Sequence, residues 1–265
     1  IMDIINWIGT VLSSRRSAEI CLLDYNSTDW EKFAIAKKDH FQENPQRSQS
    51  NNSLVFHQKP TKAELHYIFK LMEESGGSEP GFVNAEAAKR KAPWFKGGNP
   101  CFEILLGNKN FCNLTELDLG KFNGDWHGLL RALYLIGRAN YRQTCVNLKD
   151  GVLADTWHEL NNFLRLCGVG ITGIVRWEHQ DSPESLKGIR EMAVKGANDM
   201  AKELGTPFPK AVTTVKPSGT LSKIMDTTEG VHKPLGKYIL YNKKFSCSVI
   251  KTLPSTSYFS IPSPS

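Results

Sequence analysis

The chain has 265 residues, 40% of them hydrophobic, which is enough for one or two folded domains with a sizeable core. The 33 basic and 27 acidic residues give a net charge of +6, without the lysine and arginine stripe, interleaved with aromatic residues, that is typical of nucleic-acid-binding proteins. No apolar run approaches the ~20 residues that a membrane span requires. We therefore expect neither a nucleic acid nor a membrane as a partner.

The first third of the chain alternates between helical and strand patterns. Apolar residues at helical spacing, or helix-capping residues, predict helices over residues 1–12, 27–38 and 61–74. Short apolar runs predict buried strands over residues 18–23 and 54–56, separated by a loop over residues 39–53. Thr61 and Glu64 have the spacing of a capping box, and Gly76 marks the end of that helix. A turn is predicted at residues 79–82, followed by a polar segment to Lys96.

The rest of the chain continues the alternation. Strands are predicted over residues 114–119, 168–175 and 211–215. Helices are predicted to begin near Asp125, Asp155 and Ser182. Strands that alternate with helices predict an α/β fold with mostly parallel strands. Residues 243–265 are rich in Ser, Pro and Thr without periodicity, so we predict an unstructured tail there.

A tight turn carries the first chemical motif. Two glycines and a proline over residues 97–100 predict an exposed turn, and Cys101 follows directly. In an extended segment, residues two apart point to the same side. We therefore expect Asn99, Cys101 and Glu103 to converge on one small polyol such as ribose. An exposed Gly/Pro turn favours a reactive thiol at Cys101, whereas a core role and a redox role are equally compatible with Cys112.

The remaining cysteines show neither a disulfide framework nor a CxxC pair. We therefore expect a reducing, cytoplasmic setting, with Cys21, Cys145 and Cys167 packed in apolar surroundings. A zinc site would need ligands that are far apart in the sequence, so we expect no metal. The chain begins at Ile1, without a leader, and we interpret it as a fragment of a longer polypeptide.

A second motif follows the predicted strand 211–215. In the sequence KPSGTLS over residues 216–222, a glycine allows close backbone approach, and hydroxyls and a lysine offer donors and charge to an anion. The motif is not a Walker A loop, and an ordinary turn is equally compatible with the pattern. Arg15 and Arg16 have the chemistry to hold a phosphate or stack on a base, although the pattern alone favours a solvated turn.

Taken together and in order, these motifs resemble the ribonucleotide reductases. The match rests on NPCFEI at residues 99–104, FCNL at 111–114 and TTVKPSGTLS at 213–222. Further matching segments lie at residues 15–20, 50–53, 79–82 and 168–174. Residues 223–230 and 234–238 resemble in particular the monomeric, adenosylcobalamin-dependent (class II) ribonucleoside-triphosphate reductases. The resemblance extends over residues 1–242.

The resemblance implies that residues 1–242 are part of a catalytic ten-stranded α/β barrel, with a finger loop that carries the radical cysteine, Cys101. It implies reduction of ribonucleoside triphosphates to 2′-deoxyribonucleoside triphosphates by a thiyl radical that adenosylcobalamin generates. Glu103 then acts as general base on the 3′-hydroxyl, and Asn99 orients the ribose hydroxyls. Cys112 matches one member of a cysteine pair that thioredoxin re-reduces.

The resemblance also assigns binding roles. It implies that the substrate phosphates are held by Lys216, Pro217, Ser218, Gly219, Thr220 and Ser222. Arg15 and Arg16 match the end of the loop that relays a deoxynucleotide effector to base choice. In the family, the partner of Cys112, a C-terminal cysteine pair and much of the cobalamin-binding region lie outside this segment, so we expect the isolated chain to be inactive in turnover. A noncatalytic nucleotide-binding fragment and a ribonucleoside-diphosphate reductase of a related class remain alternatives.

Overall fold

The computed structural model describes residues 2–11, 19–111, 113–149, 151–234, 238–241 and 259–262. These fall into two compact units, Ile1–Cys112 with Asn147–Phe163, and Asn113–Val146 with Leu164–Ser265. Helices alternate with strands, and each unit contains parallel strand pairs, so the predicted α/β class is confirmed. No helix in the described parts of the chain is long and apolar enough to cross a membrane.

The bounds of the elements are as follows. The helices are α1 (Met2–Val11), α2 (Trp30–Ala34), α3 (His40–Glu43), α4 (Lys62–Ser75), α5 (Ala85–Lys91), α6 (Trp126–Gln143), α7 (Asp155–Leu164), α8 (Pro183–Glu203) and α9 (Thr220–Ile224). The strands are β1 (Glu19–Asp24), β2 (Ser50–Phe56), β3 (Gly81–Asn84), β4 (Gly97–Gly98), β5 (Leu105–Leu106), β6 (Leu114–Asp118), β7 (Gly168–Thr172), β8 (Tyr238–Tyr241) and β9 (Phe259–Pro262). Short 3₁₀ helices lie at Pro45–Gln49, Leu119–Phe122 and Ile174–Arg176.

The first unit is built on a parallel sheet in the order β1–β2–β3. The central strand is apolar on both faces because helices cover both. Leu54 packs in one cluster with Ile68 of α4, and Val55 packs in another with Ala88 of α5. A parallel strand buried on both faces carries a continuous apolar run, and this explains the sequence Leu54–Val55–Phe56.

Two sequence predictions in this unit are wrong. The predicted loop over residues 39–53 contains α3, a 3₁₀ helix and the start of β2, because the polar residues Asn51 and Asn52 are held in the sheet by their backbone. The predicted turn at residues 79–82 instead contains a cis Glu79–Pro80 bond and the start of β3. The sequence analysis also missed α5, although Asn84 caps it by accepting a hydrogen bond from the Ala87 amide at 2.9 Å.

The predicted capping box at α4 is confirmed. The Thr61 hydroxyl accepts from the Glu64 amide at 3.2 Å, and the Glu64 carboxylate accepts from the Thr61 amide at 2.7 Å. These bonds from Thr61 lower the pKa of Glu64. Gly76, at φ +66°, ends the helix as predicted, because a residue without Cβ adopts this left-handed conformation without strain.

Loss of this cap should reduce the stability of the chain only modestly. We expect Thr61→Ala to lower the free energy of unfolding by about 1 kcal/mol, because it leaves an amide at the start of α4 without its acceptor. Thr61→Ser keeps the hydroxyl and serves as the matched control. Urea denaturation followed by circular dichroism measures both variants, and equal stability of the alanine and serine variants would contradict the assignment.

The second unit is built on the parallel pair β6–β7, with helices packed against it. Residues 211–214 run beside β7, where the Val169 amide donates to Val212 at 2.8 Å and the Thr214 amide donates to Val169 at 3.0 Å. The predicted strand there is thus reduced to a single parallel bridge between Val169 and Thr213. The core of this unit contains Leu129, Leu133, Tyr141, Trp177, Ile189 and Ala193.

The end of the chain is described only in part. Strand β8 pairs antiparallel with β9, and β9 lies inside the segment 243–265 for which we predicted an unstructured tail. These four residues differ from that prediction. The other residues of the segment lie outside the described residues, so the proposed boundary at residue 242 stays a prediction.

Candidate functional site

The predicted exposed turn at Cys101 is a short hairpin. Strands β4 and β5 pair antiparallel, with Gly97 opposite Leu106 and Gly98 opposite Leu105, so residues 99–104 form the connecting loop. The Phe102 amide donates to the Asn99 carbonyl at 2.8 Å and closes a turn at the tip. Cys101 is exposed there. The hairpin therefore presents a thiol at its tip.

The loop itself is not extended, so the expectation that alternation directs three side chains to one side is wrong. Phe102 has φ +59°, in the left-handed region, which breaks the two-residue repeat of a strand. Asn99 is buried, and its side-chain oxygen accepts from the Ile104 amide at 2.9 Å. Glu103 is half-buried. The structure thus brings Asn99, Cys101 and Glu103 into one loop, in which Asn99 also shapes the backbone.

Three contacts hold the loop in place. The Phe102 ring lies directly over Gly98, where a Cβ atom would come within 2.7 Å of the ring. The same ring makes an edge-to-face contact with Phe95, at 6.0 Å between centroids. From strand β2, the side-chain amide of Asn51 donates to the Pro100 carbonyl. The loop backbone is therefore fixed around an exposed Cys101.

Some predicted site residues lie outside the described residues. These are Cys112, Arg15 and Arg16, and their roles stay predictions. Beside Cys112, Phe111 packs against Trp157 at 5.0 Å between ring centroids.

Two other cysteines lie in the packed interior of the second unit. Burial raises the pKa of the Cys167 thiol to about 12, and the neighbouring Cys145 adds to this effect. The Cys145 thiol donates to the Tyr141 carbonyl at 3.6 Å. A thiol with so high a pKa stays protonated and is a poor nucleophile, as expected of a packing residue. In the described ranges, no group of three or more His, Cys, Asp or Glu side chains is arranged to hold a metal ion.

The segment 216–222 forms a tight loop that leads into α9. The Gly219 amide donates to the Pro217 carbonyl at 2.7 Å, and Ser218 and Gly219 have φ values of +61° and +53°. Ser222 is fully buried, and its hydroxyl donates to the Gly219 carbonyl at 2.7 Å. Thr220 is the first residue of α9. The predicted glycine-containing turn is present, and its backbone is held by bonds within the segment.

Strand β6 contributes two carboxylates that the sequence analysis missed. The Glu116 carboxylate lies 2.6 Å from the Lys216 ammonium nitrogen and accepts a second bond from the Ser218 hydroxyl. Asp118 accepts from the Thr227 hydroxyl at 3.0 Å. The available signal was two acidic residues, two apart, in a predicted strand, where they share one face.

Known proteins resemble this chain over most of its length. The adenosylcobalamin-dependent ribonucleoside-triphosphate reductase of Lacticaseibacillus paracasei is 29% identical over 287 aligned positions, covering 92% of this chain and 37% of the relative. The predicted resemblance to the ribonucleotide reductases is confirmed. A probable reductase of the same type from Dictyostelium discoideum is also 29% identical, covering 91% of this chain and 33% of the relative. No family model matches the chain.

A solved structure shares the fold. The crystal structure of a B12-dependent (class II) ribonucleotide reductase superimposes with a TM-score of 0.74 at 24% sequence identity, covering 92% of this chain and 38% of that one. The α/β fold of this chain is therefore that of the corresponding part of the reductase. The chain spans about a third of the length of the relatives it matches.

Proposed function

We propose that this chain is the part of an adenosylcobalamin-dependent ribonucleoside-triphosphate reductase that carries the radical cysteine and the substrate phosphate loop. The observation that supports this most is the exposed Cys101 at the tip of a hairpin whose backbone is fixed by Asn99, Phe102 and Asn51. Radical transfer to a sugar requires a thiol held in one geometry, since misplacement of a reacting group is costly. In this proposal residues 1–242 are part of the ten-stranded α/β barrel of those enzymes.

The chain's own residues then have distinct tasks. As a thiyl radical, Cys101 takes the hydrogen atom from C3′ of the ribose, a transfer that suits sulfur because S–H and activated C–H bonds are similar in strength. Glu103 accepts the proton of the 3′-hydroxyl. The 2′-hydroxyl takes a proton and leaves as water, a hydrogen replaces it at C2′, and Cys101 returns its hydrogen atom to C3′; the two thiols that form the disulfide supply the proton and the hydrogen at C2′. Cys112 and a partner cysteine supply the two electrons by forming a disulfide, which thioredoxin reduces.

In this proposal adenosylcobalamin acts on the thiol of Cys101, and the surroundings of that thiol are compatible with this role. When bound, adenosylcobalamin supplies the radical that removes the hydrogen atom of the Cys101 thiol. The thiol is exposed, and the surrounding loop keeps its shape through the buried Asn99 and the packed Phe102. An accessible sulfur on an ordered loop is what such a transfer requires.

The loop 216–222 binds the triphosphate of the substrate in this proposal. The Thr220 hydroxyl and the backbone around Gly219 provide donors for phosphate oxygens, while the Ser218 hydroxyl donates to Glu116. Arg15 and Arg16 relay the identity of a deoxynucleotide effector to the choice of base. These assignments follow from the resemblance of the motifs, and the tight turn at Gly219 supports the first of them.

Binding measurements on the isolated chain test the proposal. We expect it to bind ribonucleoside triphosphates more tightly than diphosphates and to form no deoxynucleotide with adenosylcobalamin and thioredoxin. Gly219→Val should weaken binding about tenfold, or about 1.4 kcal/mol, because φ +53° strains a branched residue. Isothermal titration calorimetry measures the nucleotide affinities of the wild type and of the variant.

The possible outcomes of these measurements contradict different parts of the proposal. Equal affinity for diphosphates would favour a reductase of a related class, and absence of nucleotide binding would overturn the phosphate site. Product formation by the isolated chain would contradict the expected inactivity.

A further inference from the structure

The lysine of the phosphate loop is already engaged in an ion pair. The Lys216 ammonium nitrogen lies 2.6 Å from a Glu116 carboxylate oxygen, and the two side chains are 12% and 0% exposed. When one partner of a buried pair is lost, the other is left as an uncompensated charge, which is strongly unfavourable. The Lys216 ammonium cannot leave for a phosphate without leaving the Glu116 carboxylate buried and unpaired.

Glu116 holds more of the loop than this lysine. Its second carboxylate oxygen accepts a hydrogen bond from the Ser218 hydroxyl. The same hydroxyl accepts from the Gly230 amide at 3.1 Å, which connects the loop to the turn that follows α9. Ser218 has φ +61°, an uncommon conformation for a serine, and these bonds offset its cost. One carboxylate thus holds two of the first three residues of the loop.

The side chain of Lys216 crosses strand β7 at a glycine. Gly170 of β7 is the register partner of Glu116 on β6. The lysine stem lies against this glycine, where a Cβ atom would come within 2.6 Å of the Lys216 Cγ and Cδ atoms. The stem therefore crosses β7 at Gly170, where no side chain blocks it, and reaches the carboxylate on the next strand.

We infer that Glu116 is a positioning residue for the phosphate loop and that Lys216 is its counter-ion, not a phosphate ligand. This inference rests on the proposed phosphate site and divides the roles within it. The phosphates are then met by the Thr220 hydroxyl and by backbone groups of the loop, since the hydroxyls of Ser218 and Ser222 already donate to Glu116 and Gly219. Lys216 neutralises a carboxylate that would otherwise repel the bound anion.

A double-mutant cycle on the 265-residue chain tests the inference, with sodium tripolyphosphate as the probe. We expect Lys216→Met to weaken tripolyphosphate binding by at least about tenfold and to lower the unfolding midpoint by about 10 °C. The double variant Glu116→Gln/Lys216→Met removes both charges and keeps a side-chain acceptor for Ser218. It should bind within about threefold of the wild type.

The matched control is Lys223→Met. Lys223 lies in α9, close in sequence to the loop, and pairs at 3.1 Å with Glu229, a partner that is 39% exposed. This variant should leave binding nearly unchanged, because a partly exposed ion pair contributes little. A double variant that folds but binds as poorly as Lys216→Met would show that Lys216 contacts phosphate directly, and it would overturn the inference.

Hydrogen–deuterium exchange of the chain without any ligand separates this inference from the proposed function. We expect the double variant Glu116→Gln/Lys216→Met to retain protection and Glu116→Ala to raise exchange at residues 216–222 at least about tenfold, with α6 unaffected. Unchanged exchange in the alanine variant would refute the positioning role, whether or not the wild type binds tripolyphosphate. Failure of the wild type to bind tripolyphosphate, with the exchange result as expected, would refute only the phosphate site.

Discussion

The Cys101→Ser variant is expected to lose ribonucleotide reduction by roughly a thousandfold or more while it still binds nucleotide. A hydroxyl cannot replace the thiol, because its O–H bond is too strong to yield a hydrogen atom under the same conditions. Binding should persist, since Asn99 and Phe102 hold the loop and a serine is close to a cysteine in size.

Turnover is measured in a chimera, because the chain covers only 37% of the length of its Lacticaseibacillus paracasei relative. Residues 1–242 replace the aligned segment of that reductase, and deoxynucleotide formation is followed with adenosylcobalamin and thioredoxin. Cys145→Ala, which removes a thiol bonded to the Tyr141 carbonyl, is the matched control and should retain turnover. Reduction by the Cys101→Ser chimera at the wild-type rate would eliminate Cys101 as the radical residue.

The second large effect concerns the close packing of α6 against α8. Gly196 of α8 lies against the backbone of Tyr134, where a Cβ atom would come within 2.1 Å of the carbonyl oxygen. Gly137 of α6 lies in the same way against Ala193, at 2.3 Å. These neighbours are backbone atoms, so an added methyl group can be accommodated only if one helix moves.

We therefore expect Gly196→Ala to lower the free energy of unfolding by about 3 kcal/mol and the unfolding midpoint by about 6–12 °C. Gly188→Ala is the control on the same helix, because its Cβ would meet the Trp126 ring at an ordinary 3.4 Å. That variant should gain about 0.5–1 kcal/mol from helix propensity. Calorimetry of both variants provides the comparison, and a Gly196→Ala chain as stable as the wild type would contradict the packing.

Short-range signals in the sequence predicted much of the local structure. The caps of α4, α6 and α8 depend on Thr61, Asp125 and Ser182, each of which bonds to an amide three residues later. The exposed thiol of Cys101 followed from glycines and a proline next to it. These interactions join neighbours in the chain, so the residue pattern alone contains them.

The sequence by itself determined the α/β class, most helix starts, the cysteine at an exposed turn and the resemblance to the reductases. Only the tertiary structure decided how the site is supported. The Glu116–Lys216 pair joins residues 100 positions apart, and the Gly196–Tyr134 contact joins two different helices. Strand β2 likewise begins earlier than predicted because neighbouring strands pair with its polar residues. Such contacts arise from packing between distant segments, and neither residue type nor periodicity specifies which segments will meet.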